Sequence, residues 1–434
     1  MSLTLIKQAQ AKPCLRDEKL TRIVKDIINN VRARGETALL EYAEQFDKTR
    51  METVHVARET VLAAYNNTPP QTIAALRFAH SRIKNFAEQQ LACTHEIKTE
   101  TKGVKLECRL LPVESCGCYV PAGRHPLPSS ALMSITTAKA AGVRRIAACS
   151  PPSNNTGVHP AVLVAMDIAG ADEIYCMGGA GAIAAFAYGA ANSKSEYLIQ
   201  KVDMIAGPGN RFVTEAKRQV LGDVGIDGFA GPSEVLIIAD KTANPGYIAA
   251  DLLAQAEHDT DAKSEFVCTD KKTIEKTLAE LEKQLDKLAS KKTAGRSWAD
   301  NGEIYLADTI DDAIELANNR APEHIELQTA PEAEQYACKK LNAYGSLFVG
   351  HYAPAAFGDY VSGANHILPT MGSARFSGGL WTGSFLRAAF CQSISEEGCA
   401  ELAGSCMTLA ETEGLPAHRG AVDIRLKRSA DEQH

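Results

Sequence analysis

The chain has 434 residues, 45% of them hydrophobic and 23% charged, and a net charge of −7. This composition suits a folded globular protein, and the length suits about two or three domains. No long basic run is present, which argues against nucleic acid as a partner. Twelve scattered cysteines, with no CxxC and a single CxC at Cys116 and Cys118, fit reduced, buried thiols rather than a disulfide framework. Residues 1–13 lack a signal-peptide core, and no apolar run has membrane-spanning length, so the expectation is a cytoplasmic protein without membrane contact.

In chain order, residues 17–46 are predicted helical, because Leu20, Ile23, Val24, Ile27, Ile28 and Val31 recur at helical spacing. A second long helix is predicted over 70–89. Then the pattern changes to short apolar runs, each followed by a Gly/Pro turn and a helical segment. The strands of this series are predicted at 116–120, 145–149, 173–177 and 202–205, and the helices at 132–141, 161–168, 182–188 and 212–220. Repeated strand–turn–helix units predict an α/β fold with βαβ connections and a parallel sheet. A second series follows, with strands at 235–239, 266–268, 304–307, 325–327 and 346–349 and helices at 247–257, 274–288 and 311–318. Residues 358–383 are rich in Gly, Ser and Pro and are predicted to be an ordered loop that lines a site. Two helices are predicted over 396–425, broken at Gly414-Leu415-Pro416.

Three segments carry candidate chemistry. Gly179-Ala180-Gly181-Ala182-Ile183-Ala184 matches a dinucleotide fingerprint after a strand, where free helix N–H groups suit a pyrophosphate. Tight helix packing explains the same glycines equally well. Glu196 is a candidate for the acidic residue expected about 20 positions on. Asn210, after Gly207-Pro208-Gly209, is a second candidate contact. Gln255 and His258 stand three apart at a helix end and so share a face; with Asp359, His366 and His418 they are candidate metal ligands, or ordinary polar groups. Adjacent Glu323 and His324 sit where a helix gives way to a strand. They are candidates for two separate bases, one for an alcohol and one for water, or for an exposed polar turn.

The order and spacing of these pieces resemble histidinol dehydrogenases. The matching stretches are 117–121 (GCYVP), 178–189, 206–217 (AGPGNRFVTEAK), 230–240 (AGPSEVLIIAD), 254–258 (AQAEH), 322–324 (PEH), 358–360 (GDY), 362–369 (SGANHILP) and Ala417-His418, so the resemblance runs over about 22–426. It implies two incomplete Rossmann-like domains of βαβ units on parallel sheets, plus small helical terminal elements. The first α/β domain would comprise 1–113 with 231–385, and an inserted NAD-binding domain 114–230. A helical segment, 386–434, would reach the partner's active site in a homodimer. The resemblance further implies zinc on Gln255, His258, Asp359 and the partner's His418. His324 would take the alcohol proton and Glu323 would activate water. Tyr119, Gly178, Gly179, Gly181 and Asn210 would contact NAD, and Ser233, His366 and Glu413 the substrate. The implied reaction is a four-electron oxidation of a small primary alcohol through its aldehyde to a carboxylate.

The chain departs from the histidinol-oxidising pattern at four places. Gly181 replaces a glutamine, and Asp259 replaces a glycine after the presumed ligand His258. Arg124-His125 stand where small residues are usual, and 375–383 (RFSGGLWTG) replaces a GLADF-like run. The last two stretches resemble the sulfopropanediol dehydrogenase branch of the family. Arg124, His125 and Arg375 have the right sign for a permanently anionic sulfonate. The expected substrate is therefore 2,3-dihydroxypropane-1-sulfonate, the alternative is L-histidinol, and the alternative of another class is an inactive binding homologue.

Overall fold

A computed structural model describes residues 2–10, 17–122, 126–153, 157–192 and 199–431, with side chains through 426. Arg124, His125 and Glu196 lie outside the described residues. The chain divides into two compact units, 1–89 with 113–385 and 90–112 with 386–434.

The larger unit holds two sheets. One has five parallel strands in the order Glu173–Cys176, Arg145–Ser150, Ser115–Tyr119, Met204–Ala206 and Gly225–Ile226. Helices Pro128–Ala140, Pro160–Ala169, Gly179–Tyr188 and Arg211–Val220 follow the first four strands in chain order. Helix Glu18–Arg34 buries Val24, Ile28 and Val31 against Ile183, Phe186 and Val213 of this layer. The single helix expected over 17–46 is two helices, the second being Glu36–Phe46. Gly35 divides them at φ +57°, where any Cβ would stand 2.2 Å from the Ala191 carbonyl oxygen.

The other sheet has six strands, in the order Leu3–Lys7, Glu303–Ala307, Lys263–Cys268, Glu234–Ala239, His324–Gln328 and Ser346–Val349. All are parallel except the first, which pairs antiparallel to Glu303–Ala307. Strand Glu234–Ala239 is covered on both faces. Val235 and Ile237 enter one apolar core, and Leu236 and Ile238 the other. A strand buried on both faces must be apolar throughout, which is why this one is legible as an unbroken VLIIA run.

Each sheet has a point where the chain order reverses. In the first it falls between Ser115–Tyr119 and Met204–Ala206, and in the second between Glu234–Ala239 and His324–Gln328. Such switch points leave crevices at strand ends, the usual place for ligands in open α/β sheets.

The smaller unit contains an antiparallel sheet of Ile97–Thr101, Val104–Pro112 and Leu386–Ile394, followed by helices Glu396–Thr412 and Pro416–Asp431. Residues 90–112 thus group with the C-terminal segment rather than with the first α/β domain, and that segment starts as a strand rather than a helix. No residue of these strands is fully buried, so they lack the apolar alternation that marks a strand packed on a core. Their turn, Lys102-Gly103, has positive φ at both residues as a type I′ hairpin requires, but lacks the usual Asn or Asp. Among the described residues, no helix is long and apolar enough to cross a membrane.

Candidate active site

Strand pairing creates the catalytic cluster. His324 lies in register with Val235, which brings the Pro322-Glu323-His324 turn against Ser233 and Glu234. The Glu323 Oε2 accepts hydrogen bonds from the Ser233 hydroxyl at 2.6 Å and the Glu234 N–H at 3.0 Å. Burial pushes the Glu323 carboxyl above the ordinary glutamate range, against the opposing pull of His324 and these two donors. Such a carboxylate is more basic than one in water.

The His324 Nδ1 lies 3.1 Å from the Glu234 carbonyl oxygen. A carbonyl only accepts, so Nδ1 carries the proton, and in the neutral ring Nε2 holds a lone pair. That Nε2 is buried, makes no hydrogen bond among the described residues, and stands 3.9 Å from the Asp359 Oδ1. The exposed-turn explanation of Glu323-His324 does not hold, since the residues are 6% and 3% exposed. The cluster lies at the amino ends of its strands, opposite the end where α/β sites usually form.

Gln255, His258 and Asp359 line one cleft of about 80 Å³. Helix Pro245–Ala256 runs back beside strand Glu234–Ala239, so its C-terminal end delivers Gln255 and His258 to the same sheet edge as His324. Asp359 comes from the short helix Ala355–Tyr360. Gln255 is 4% exposed, and its Nε2 has no partner among the described residues. A half-turn of that amide presents its oxygen instead. An amide oxygen, an imidazole and a carboxylate form an N/O donor set suited to zinc with one further ligand. No three His, Cys, Asp or Glu side chains converge as a metal group among the described residues; this set has only two such residues from one chain. Asp259, the departure next to His258, is held in its own turn by Thr260 and Asp261.

His366 is occupied differently from expectation. Its Nδ1 donates to the Asp359 carbonyl oxygen at 2.9 Å, so Nε2 accepts from the Ser130 hydroxyl at 3.1 Å. Both ring nitrogens are engaged, and burial lowers its pKa. As it stands, the residue fastens the Asp359 segment to helix Pro128–Ala140 and offers a substrate neither nitrogen. Glu413 and His418 are exposed in the smaller unit, next to the junction of its two helices.

The presumed cofactor residues gather at the carboxyl ends of the five-stranded sheet, at its switch point. Tyr119 ends one central strand, and its hydroxyl accepts the Gly179 N–H at 3.2 Å. A Cβ on Gly207 would lie 2.0 Å from the Tyr119 carbonyl oxygen, so only glycine lets these turns close. Gly207 is gripped from both sides. Its N–H donates to Asp227 at 2.7 Å and its carbonyl accepts from Lys217 at 2.8 Å, and Lys217 and Asp227 are themselves a buried ion pair. The Asn210 Oδ1 caps the next helix through Phe212 and Val213, which leaves its amide N–H2 for a ligand. A Cβ on Gly179 would meet nothing within 4 Å, whereas one on Gly178 would strike Pro151. Gly181 is buried, and a Cβ there would lie 3.2 Å from Leu39 and 3.6 Å from Tyr42, so its place in the helix is explained by packing.

Two carboxyls near this cleft, half-buried Asp251 and buried Glu326, were not anticipated from sequence. Alternation along His324–Gln328 was the available signal, because His324, Glu326 and Gln328 share one face.

This site, on two double-wound α/β layers, defines a dinucleotide-dependent dehydrogenase, and the chain belongs to the histidinol dehydrogenase family, whose model matches residues 10–426. It is 42% identical over 426 residues to a histidinol dehydrogenase homolog of Shouchella clausii, covering 98% of each chain. It is 44% identical over 412 residues to histidinol dehydrogenase of Brucella suis, covering 94% of this chain and 93% of that one. The crystal structure of histidinol dehydrogenase from Elizabethkingia anophelis superposes with a TM-score of 0.90 at 35% identity, covering 97% of this chain and 95% of that one. The family is NAD-dependent and binds zinc.

Proposed function

We propose that this protein oxidises L-histidinol through its aldehyde to the carboxylate, with His324 as the base for the alcohol and Glu323 as the base for water. The observation that carries this chemistry is the buried Nε2 of His324, unpartnered among the described residues, with its lone pair fixed by the Nδ1 bond to Glu234. The names of relatives aligned over nearly the whole chain support the substrate. Gln255, His258 and Asp359 would hold zinc, and Tyr119, Gly178, Gly179 and Asn210 would meet NAD. When bound, zinc would lower the pKa of a hydroxyl and NAD would accept hydride.

The protein's own groups manage the protons. His324 Nε2 removes the hydroxyl proton, and the Glu234 carbonyl stabilises the resulting imidazolium through Nδ1–H. Ser233 and the Glu234 N–H hold Glu323 Oε2, which leaves Oε1 to take a proton from the water that adds to the aldehyde. Ser233 thereby acts on the substrate through Glu323.

A second reading, oxidation of 2,3-dihydroxypropane-1-sulfonate, is favoured by Arg124-His125 and the 375–383 run. Arg375 weakens it, because its guanidinium is committed to the carbonyls of Asn318 and Asn319 near the end of helix Ile310–Arg320. Side-by-side kcat/KM values on the two alcohols decide. Higher efficiency on L-histidinol is expected, and higher efficiency on the sulfonate transfers the proposal to the second reading.

The partner subunit's His418 and Glu413 would complete each site, for the fourth metal ligand and the substrate amine. Mixing inactive His258→Ala and His418→Ala subunits should then restore part of the activity, since one of the two sites in each heterodimer is intact. Heterodimers that form yet stay inactive contradict the shared site.

A further inference from the structure

On strand His324–Gln328, Ile325 and Leu327 enter the apolar core, which turns Glu326 and Gln328 to the opposite face beside His324. Glu326 is 1% exposed and Gln328 is 2% exposed. An isolated charge there would be costly. The Glu326 carboxyl instead adjoins that of Asp251, and the two are bridged by one side-chain amide. Burial and the adjoining Asp251 carboxyl push the Glu326 carboxyl well above the ordinary glutamate range, which favours a proton on the pair. The Gln328 amide N–H2 braces the pair, donating to Asp251 at 2.8 Å and to Glu326 at 3.1 Å.

The pair joins two elements that bear on the metal cleft. Asp251 stands four residues before Gln255, one turn away on helix Pro245–Ala256. The other oxygen of Glu326 accepts the N–H of Ala355 at 2.8 Å, and Ala355 opens the helix that carries Asp359. Asp251 and Glu326 line the same cleft as Gln255, His258 and Asp359.

We infer that Asp251 and Glu326 are positioning residues: their amide-bridged carboxyl pair clamps the helix leading to Gln255 and His258 to the helix bearing Asp359, and so sets the spacing of the metal ligands. This rests on the proposed metal set. Neither residue belongs to the proposed ligand set or the two proposed bases. Groups that orient metal ligands typically alter metal affinity by about 10- to 100-fold when removed.

The test uses the full-length, zinc-loaded protein and follows zinc transfer to a chromogenic chelator by absorbance, beside the melting temperature of the metal-free protein. Glu326→Ala should release zinc at least about tenfold faster than wild type. Glu326→Gln and Asp251→Asn should restore slow release, because an amide N–H2 donates to the remaining carboxylate without a shared proton. If Glu326→Ala does not fold, Asp251→Ala, on the less buried partner, gives the same reading. His258→Ala is the control for the metal set. Fast release from His258→Ala with wild-type release from the alanine clamp variants would overturn the clamp alone. Wild-type release from His258→Ala would overturn the metal assignment and the clamp with it. Amide variants that release zinc as fast as the alanine variants would also overturn the clamp.

Discussion

Replacing His324 with asparagine should lower turnover of the alcohol by about 100- to 10,000-fold, the range for loss of a general base. Asparagine can keep the bond to the Glu234 carbonyl through its amide N–H2, so the fold around Ser233 and Glu323 should persist. What disappears is the lone pair at the position of Nε2. NAD affinity should stay unchanged, because Tyr119, the Gly207 turn and Asn210 belong to the other sheet. Steady-state kinetics on the alcohol, with NAD binding measured by calorimetry or fluorescence, checks both halves. Near-normal turnover in His324→Asn would remove His324 from the proton path.

Glu323→Gln should separate the two oxidations. The amide can still accept from Ser233 and the Glu234 N–H, so the turn survives. It cannot take a proton from water. The alcohol should therefore still reduce NAD once, whereas turnover of the aldehyde should fall by about 100- to 10,000-fold. The pH dependence has a defined sign. Burial raises the Glu323 pKa, so the working carboxylate is lost as pH falls through a value above the ordinary glutamate range. In the wild type, the aldehyde step should thus fail on the acid side at a higher pH than for an exposed glutamate, and this limb should vanish in the variant. Equal losses on alcohol and aldehyde would remove the division of labour.

Much of this site was legible because its residues occur in short runs. AGPSEVL, QAEH and PEH each mark a segment, and the apolar strand after Ser233 is unmistakable on both faces. Their convergence was not legible. It depends on the register of His324 with Val235, a pairing across about 90 residues that no local pattern encodes. The same holds for Asp251 and Glu326. Each looks like a solvated acid by type, and only the packing of helix Pro245–Ala256 on its sheet joins half-buried Asp251 to buried Glu326. Gly181 fits a cofactor fingerprint and a packing contact equally well by spacing, and Leu39 supplies the packing contact. The hairpin at 97–112 carries no local signal, because strands without a fully buried residue need no apolar stripe.

One site with two distinct bases should complete a four-electron oxidation. This is tested most directly by counting NADH formed per molecule of alcohol consumed, on whichever alcohol proves the better substrate, with zinc-loaded wild type and Glu323→Gln. Two NADH with the carboxylate as sole product are expected from the wild type, and one NADH with accumulated aldehyde from the variant. One NADH and released aldehyde from the wild type, or two from the variant at an undiminished rate, would contradict it.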